Sequence, residues 1–178
     1  WSLEFNETVK KADQENTQLT QEQGILRITG KYQKKDKNRF AWIAPNADER
    51  YQSIEAKIRV RKVDGGAAVC PGANWNDDKN WTGICLYFKK DYGNVSVSMT
   101  GSEKAEEVFD FDVRLDQWYV MRVEYKDAEF HYYWNNQLIK SLPPVTPVGS
   151  SESVQLTLDF SLEATRAMTI EVDEIILR

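Results

Sequence analysis

The chain is poor in the residues that usually announce chemistry: one histidine, two cysteines, three methionines and five prolines among 178 residues. A Ser-His-Asp triad would have to use His131, and no nucleophile elbow accompanies it. Cys70 and Cys85 lack the spacing of a zinc or redox pair. A basic excess is also missing. The net charge of -5 at pH 7 argues against a nucleic-acid partner, which needs a concentrated basic face. No apolar run reaches the ~18 residues of a membrane-spanning helix. Long amphipathic helices, internal repeats and dividing linkers are absent too. We therefore expect one domain over 1–178, large enough to bury its own core. The chain opens on Trp1 with no visible signal peptide, so we expect a processed protein or a domain excised from a larger polypeptide.

Aromatic residues are abundant, at 12% with six Trp and eight Tyr. Flat rings of this kind fill cores, and they also serve sugar and peptide sites. Period-2 alternation runs through most of the chain. "YQSIEAKIRV" sets Ile54, Ala56, Ile58 and Val60 opposite Glu55, Lys57 and Arg59. "NVSVSM", "EFHYYW" and "SVQLTLDF" behave alike, and "MTIEVDEIIL" alternates until Glu174, where a bulge is expected. "DGG", "DYGN" and "NNQ" supply turns, and "SLPPVTPVGSS" a Pro-rich connection. "NETVKKADQENTQLTQEQG" reads as a long loop or one short helix. "KYQKKDKNR" and the acidic stretch 103–116 read as solvated segments. Many short strands predict an all-β sandwich of two antiparallel sheets.

The segment 72–81 is expected to join two strands. If pairing mirrors about its centre, positions summing to 155 face each other, which sets Cys70 opposite Cys85. A disulfide there would imply an oxidising compartment, and two small buried thiols are the alternative. Three N-x-S/T sequons, at Asn6, Asn80 and Asn94, point weakly to secretion, since about one is expected by chance. Between the cysteines, "GANWNDDKNW" offers Asn74, Asn76, Asp77 and Asp78 as hydrogen-bonding groups and Trp75 and Trp81 as ring faces. Sugar sites combine these parts, with a C–H face on an indole and hydroxyls on amides and carboxylates. We expect Trp75 to be exposed mid-loop and Trp81 to be buried. A second candidate surface is polar by alternation: Arg59, Glu55, Tyr87, His131, Tyr133, Gln155 and Asp159.

"LDQWYVMRVEYKDAEFHYYWNNQLI" resembles the concanavalin A-like, or laminin G-like, jelly roll, with Asn135-Asn136 where that superfamily shows Asn-Gly. "IEVDEIIL" is similar to its closing strand. The resemblance implies a jelly-roll β-sandwich and a place among extracellular glycan-binding or adhesion modules. It also implies that a structural calcium ion could sit between Asp173 and Glu4 of the N-terminal strand. Retaining glycosidases of this fold carry E-x-D-x-E on one strand. Here Glu171 and Asp173 are followed by Ile175, so the acid is missing. A lyase would need a base such as His131 or Tyr133 with a cation such as Arg59. The leading expectation is a non-catalytic carbohydrate-binding, lectin-like module that acts beside other domains of its polypeptide. The alternatives are a laminin G-like module for a surface protein, or a glycoside hydrolase or lyase with an unrecognised active site.

Overall fold

The computed structural model describes residues 2–5, 9, 11–30, 40–44, 51–75, 80–89, 92–100, 105–149, 154–162 and 167–178. Its strands, in chain order, are β1 (Ser2–Phe5), β2 (Thr17–Glu22), β3 (Ile25–Gly30), β4 (Phe40–Ala44), β5 (Ser53–Val63), β6 (Gly66–Trp75) and β7 (Asn80–Lys89). They continue with β8 (Tyr92–Met99), β9 (Ala105–Phe109), β10 (Trp118–Lys126), β11 (Glu129–Trp134), β12 (Gln137–Leu142), β13 (Gln155–Leu162) and β14 (Met168–Leu177). One short helix, α1, spans Lys11–Glu15. The strands form two seven-stranded antiparallel sheets, ordered β1-β4-β13-β6-β7-β8-β9 and β12-β11-β10-β5-β14-β3-β2.

The alternation read from the sequence is the reason the sheets stack. Ile54, Ala56, Ile58 and Val60 of β5 point into the sandwich and are buried, as do Val69, Leu86, Phe88, Val97, Leu158 and Phe160 of the first sheet. Phe130 and Tyr132 of β11 fill the space between the layers. Burying such rings and branched chains supplies the main driving force. Thr82 of the first sheet and Tyr132 of the second share a hydrogen bond across the core, so these polar groups are satisfied where water is absent.

Local signals worked as expected at two places. Asn135 and Asn136 take φ of 47° and 67°, which fits a tight hairpin turn between β11 and β12. β14 shifts register against β5 between Val172 and Glu174, the bulge that the broken alternation announces. Other readings need correction. The polar N-terminal stretch holds both α1 and the strand β2. β2 has one apolar residue, Leu19, and lies at a sheet edge with mostly exposed side chains, so it carries no alternation to detect. The acidic stretch contains the strand β9, also at a sheet edge, whose Glu107 and Val108 are both exposed and so show no inward–outward alternation. The basic run 31–39 lies outside the described residues.

β6 and β7 pair in the mirrored register, with Val69 opposite Leu86 and Gly72 opposite Gly83. Cys70 and Cys85 therefore meet, and they form a disulfide with Cα atoms 4.2 Å apart.

Candidate functional site

The mirrored register continues to Asn74 opposite Trp81 and Trp75 opposite Asn80. The expected ten-residue loop is thus largely strand, and this exchanges the roles of the two tryptophans. Trp75 has the parity of Val69 and Ala73, so it enters the core. It is 2% exposed, its ring lies 5.0 Å from that of Phe130, and its Nε1 donates to the Thr146 carbonyl at 2.9 Å. It is no ligand platform. Trp81 has the opposite parity and stands half-buried on the outer face of the first sheet. Asn76, Asp77 and Asp78 lie outside the described residues. Asn80 is a buried strand residue, so its sequon is closed to a glycan in the folded chain.

Trp81 is laid across a bed made by two glycines. A Cβ on Gly72 would come within 2.8 Å of the indole Nε1, and one on Gly83 within 2.7 Å of Cζ2. Side chains at these facing positions would lift the ring, and hydrogen atoms let it lie on the backbone. The Nε1 donates to Oδ2 of Asp159 at 2.7 Å, and the Thr157 hydroxyl donates to the same oxygen at 2.9 Å. Indole position is therefore set from below by backbone and from the side by a hydrogen bond. Asn74, Tyr87 and Gln155 occupy the same outer face by register, beside the disulfide.

Burial raises the Asp159 carboxyl to about 6 against the opposing pull of its two donors. A carboxyl raised on folding favours the folded state while protonated, and that advantage is lost as pH climbs through its folded value. Asp159→Asn keeps an acceptor for both donors and removes the charge. The stability of this variant relative to wild type is expected to rise by about 2 kcal/mol between pH 4 and pH 7. Urea unfolding at the two pH values measures this, and a constant difference would contradict it.

The remaining expected ligand residues lie on the other side of the sandwich. Arg59, His131 and Tyr133 belong to the second sheet, and each has a local partner. Arg59 donates to Glu171 through Nε at 2.9 Å and Nη2 at 2.5 Å, with its guanidinium 4.3 Å from the Trp118 ring centre. His131 Nδ1 is 2.7 Å from the Ser141 hydroxyl. Tyr133 donates to Glu124 at 3.0 Å under the Arg122 guanidinium, 3.8 Å away. These three do not join Trp81 in one site, nor do they assemble the constellation a lyase needs.

Of the expected calcium ligands, Asp173 lies on β14 of the second sheet and is paired with Lys57 at 2.5 Å, while Glu4 lies on β1 of the first. Among the described residues no cluster of three or more His, Cys, Asp or Glu side chains is placed to hold a metal. Sequence reading placed Asp159 on the polar face without linking it to Trp81. The facing Gly72 and Gly83 were the available signal, since two opposed glycines leave room for a ring.

The chain superposes on the catalytic domain of an endo-1,3-β-glucanase (laminarinase) from Thermotoga petrophila with a TM-score of 0.67 at 12% identity, covering 98% of this chain and 90% of that one. A laminarinase from Flavobacterium sp. UMI-01 gives 0.66 at 12% identity, covering 89% and 80%. The carbohydrate-binding module CBM66 from Bacillus subtilis gives 0.58 at 14% identity, covering 90% of both chains. The fold is a jelly-roll β-sandwich of two antiparallel sheets. This jelly roll includes both enzymes and binding modules among its solved structures, so function must be argued from the site. No family model matches the sequence, and no curated protein matches it.

Proposed function

We propose that the chain binds a glycan on the outer face of its first sheet, with Trp81 as the stacking platform. The observation that carries this reading is the Trp81 ring held over Gly72 and Gly83 and tied to Asp159. A preset aromatic face loses little entropy when a pyranose stacks on it. Asn74, Gln155 and Tyr87 supply hydrogen-bonding groups for hydroxyls nearby. The Cys70–Cys85 bridge supports an oxidising, extracellular setting.

A glycoside hydrolase is the second reading, favoured by the raised proton affinity of Asp159 on the same face. A retaining pair needs a second carboxyl roughly 5 Å away. Along the register row, Asp159 pairs with Trp42 and Trp42 with Glu4. Glu4 therefore stands two strands, about 10 Å, from Asp159. That is a separation of backbones and not of carboxyl groups; binding is put first because the Trp81 platform needs no second carboxyl.

The test is a broad glycan array with wild type and Trp81→Ala. Wild type is expected to bind at least one glycan, and the variant about tenfold or more weakly, because a lost stacking face costs more than 1 kcal/mol. Stability should fall by about 1–2 kcal/mol through the lost bond to Asp159, well short of unfolding the chain, and a melting curve taken beside the array reports it. Equal binding by the two proteins would move recognition off this face. Release of reducing ends from the bound glycan by wild type, but not by Asp159→Asn, would favour the enzyme instead.

A further inference from the structure

The second sheet carries a charge cluster on its outer face that the glycan reading does not use. Trp118, Arg59, Glu171 and Arg27 form one row across β10, β5, β14 and β3. Glu171 is fully buried. It accepts from Arg59 and from Arg27 Nε at 3.1 Å, and Arg61 Nη1 lies 3.7 Å away.

Next to this row β5 breaks its alternation. Thr169 pairs with Lys62 and Ile170 with Val60, so Arg61 is an extra residue with no partner on β14. The consequence is visible in exposure: Val60 and Val63 are buried, whereas Arg61 and Lys62, adjacent in sequence, are both exposed. Bulges re-aim side chains in this way. Without it, one of the two cations would point into the core. Arg27, Arg61, Lys62, Asp116, Thr169 and Glu171 line an open depression of about 320 Å³.

Among the described residues the charge does not balance there: four cations, Arg27, Arg59, Arg61 and Lys62, face three carboxylates, Glu171, Asp116 and Glu22. Only Glu171 is buried. Asp116, 3.1 Å from Arg61 Nε, and Glu22, 3.2 Å from Arg27 Nη1, are 61% and 69% exposed, so those pairs are weak and exchangeable. Lys62 has no ion pair among the described residues. This local cationic excess sits on a chain of net charge -5.

We propose that this depression binds an oxyanion, the sulfate or carboxylate group of an acidic glycan or a free small anion. Arg61 and Lys62 would grip it, with the Arg27 guanidinium and Thr169 hydroxyl beside them. A guanidinium fork matches such groups in geometry as well as charge. The incoming group displaces Asp116 from Arg61. This site is independent of the Trp81 face.

Calorimetric titration of the whole chain at low ionic strength tests it, with sodium sulfate, a sulfated disaccharide and the unsulfated disaccharide as blank. Saturable sulfate binding is expected, about tenfold weaker in the Arg61→Gln/Lys62→Gln double variant. Lys62→Gln alone, which breaks no ion pair among the described residues, should also weaken it and guards against misfolding. Asp116→Asn should tighten binding by removing the competing carboxylate. Asp127→Asn makes the same charge change in the distant β10–β11 turn and should not. Absence of saturable binding, or equal effects of Asp116→Asn and Asp127→Asn, would overturn the proposal. Disaccharide binding more than tenfold tighter than sulfate would identify a glycan substituent as the source, and equal affinities a free anion.

Discussion

Trp75→Ala is expected to lower the stability of the chain by about 4 kcal/mol, as large aromatic truncations in a packed core do. Two losses combine at this residue. The indole is buried and contacts Phe130, so its removal leaves a cavity between the sheets. Its Nε1 also holds the Thr146 carbonyl of the Pro-rich connection before β13, and that acceptor would lose its partner. Equilibrium urea unfolding measures the change. Trp81→Ala serves as the contrast, because its ring lies on the surface of the first sheet and its loss creates no internal void. A Trp75→Ala cost below 1 kcal/mol would mean that the core placement of Trp75 is wrong, and with it the register that turns Trp81 outward.

Glu171→Gln is the second large effect, expected at about 3 kcal/mol. Three guanidinia are organised by this one buried carboxylate. The amide keeps the shape and removes the charge, which leaves Arg59 and Arg27 partly buried with no counter-ion at their centre. The cost therefore reports uncompensated cations rather than the net worth of the cluster, since an apolar replacement of the whole group could be neutral. Burial by itself would raise the Glu171 carboxyl. Hydrogen bonds from Arg59 and Arg27, with the Arg61 charge, outweigh it and hold the group below the usual carboxylate range. A carboxyl lowered on folding stabilises the fold above its unfolded value, and that contribution is lost as pH falls through the folded value. The wild type should consequently lose part of its advantage over Glu171→Gln in acid. A difference between the two proteins that stays constant down to pH 3 would contradict the linkage.

Much of the architecture was legible in the chain because its causes are local. Alternation assigns each strand residue to an inner or outer face, whatever its neighbours are. Asn135-Asn136 sets a turn because asparagine accepts positive φ. The pairing of Cys70 with Cys85 followed from symmetry about the hairpin centre. The same symmetry also placed Trp75 inside and Trp81 outside, had it been followed past Gly72. Gly72, Asn74 and Asn80 read as loop, but cross-strand pairing carried the strands through them. Propensity is a weak guide where a long partner strand is available.

Residue pattern alone carries a sandwich of alternating strands, with its inward faces, its hairpins and a candidate cysteine bridge. Which strands share a sheet is fixed by long-range packing. That choice set Arg59, His131 and Tyr133 on the face opposite Trp81. It brought Asp159 of β13 beside β6 and so to the Trp81 indole. It also turned Arg61 and Lys62 outward together through a bulge that β5 shows only against β14. The physical reason is that alternation acts within a strand, whereas sheet order depends on contacts between segments far apart in sequence, which no local pattern encodes.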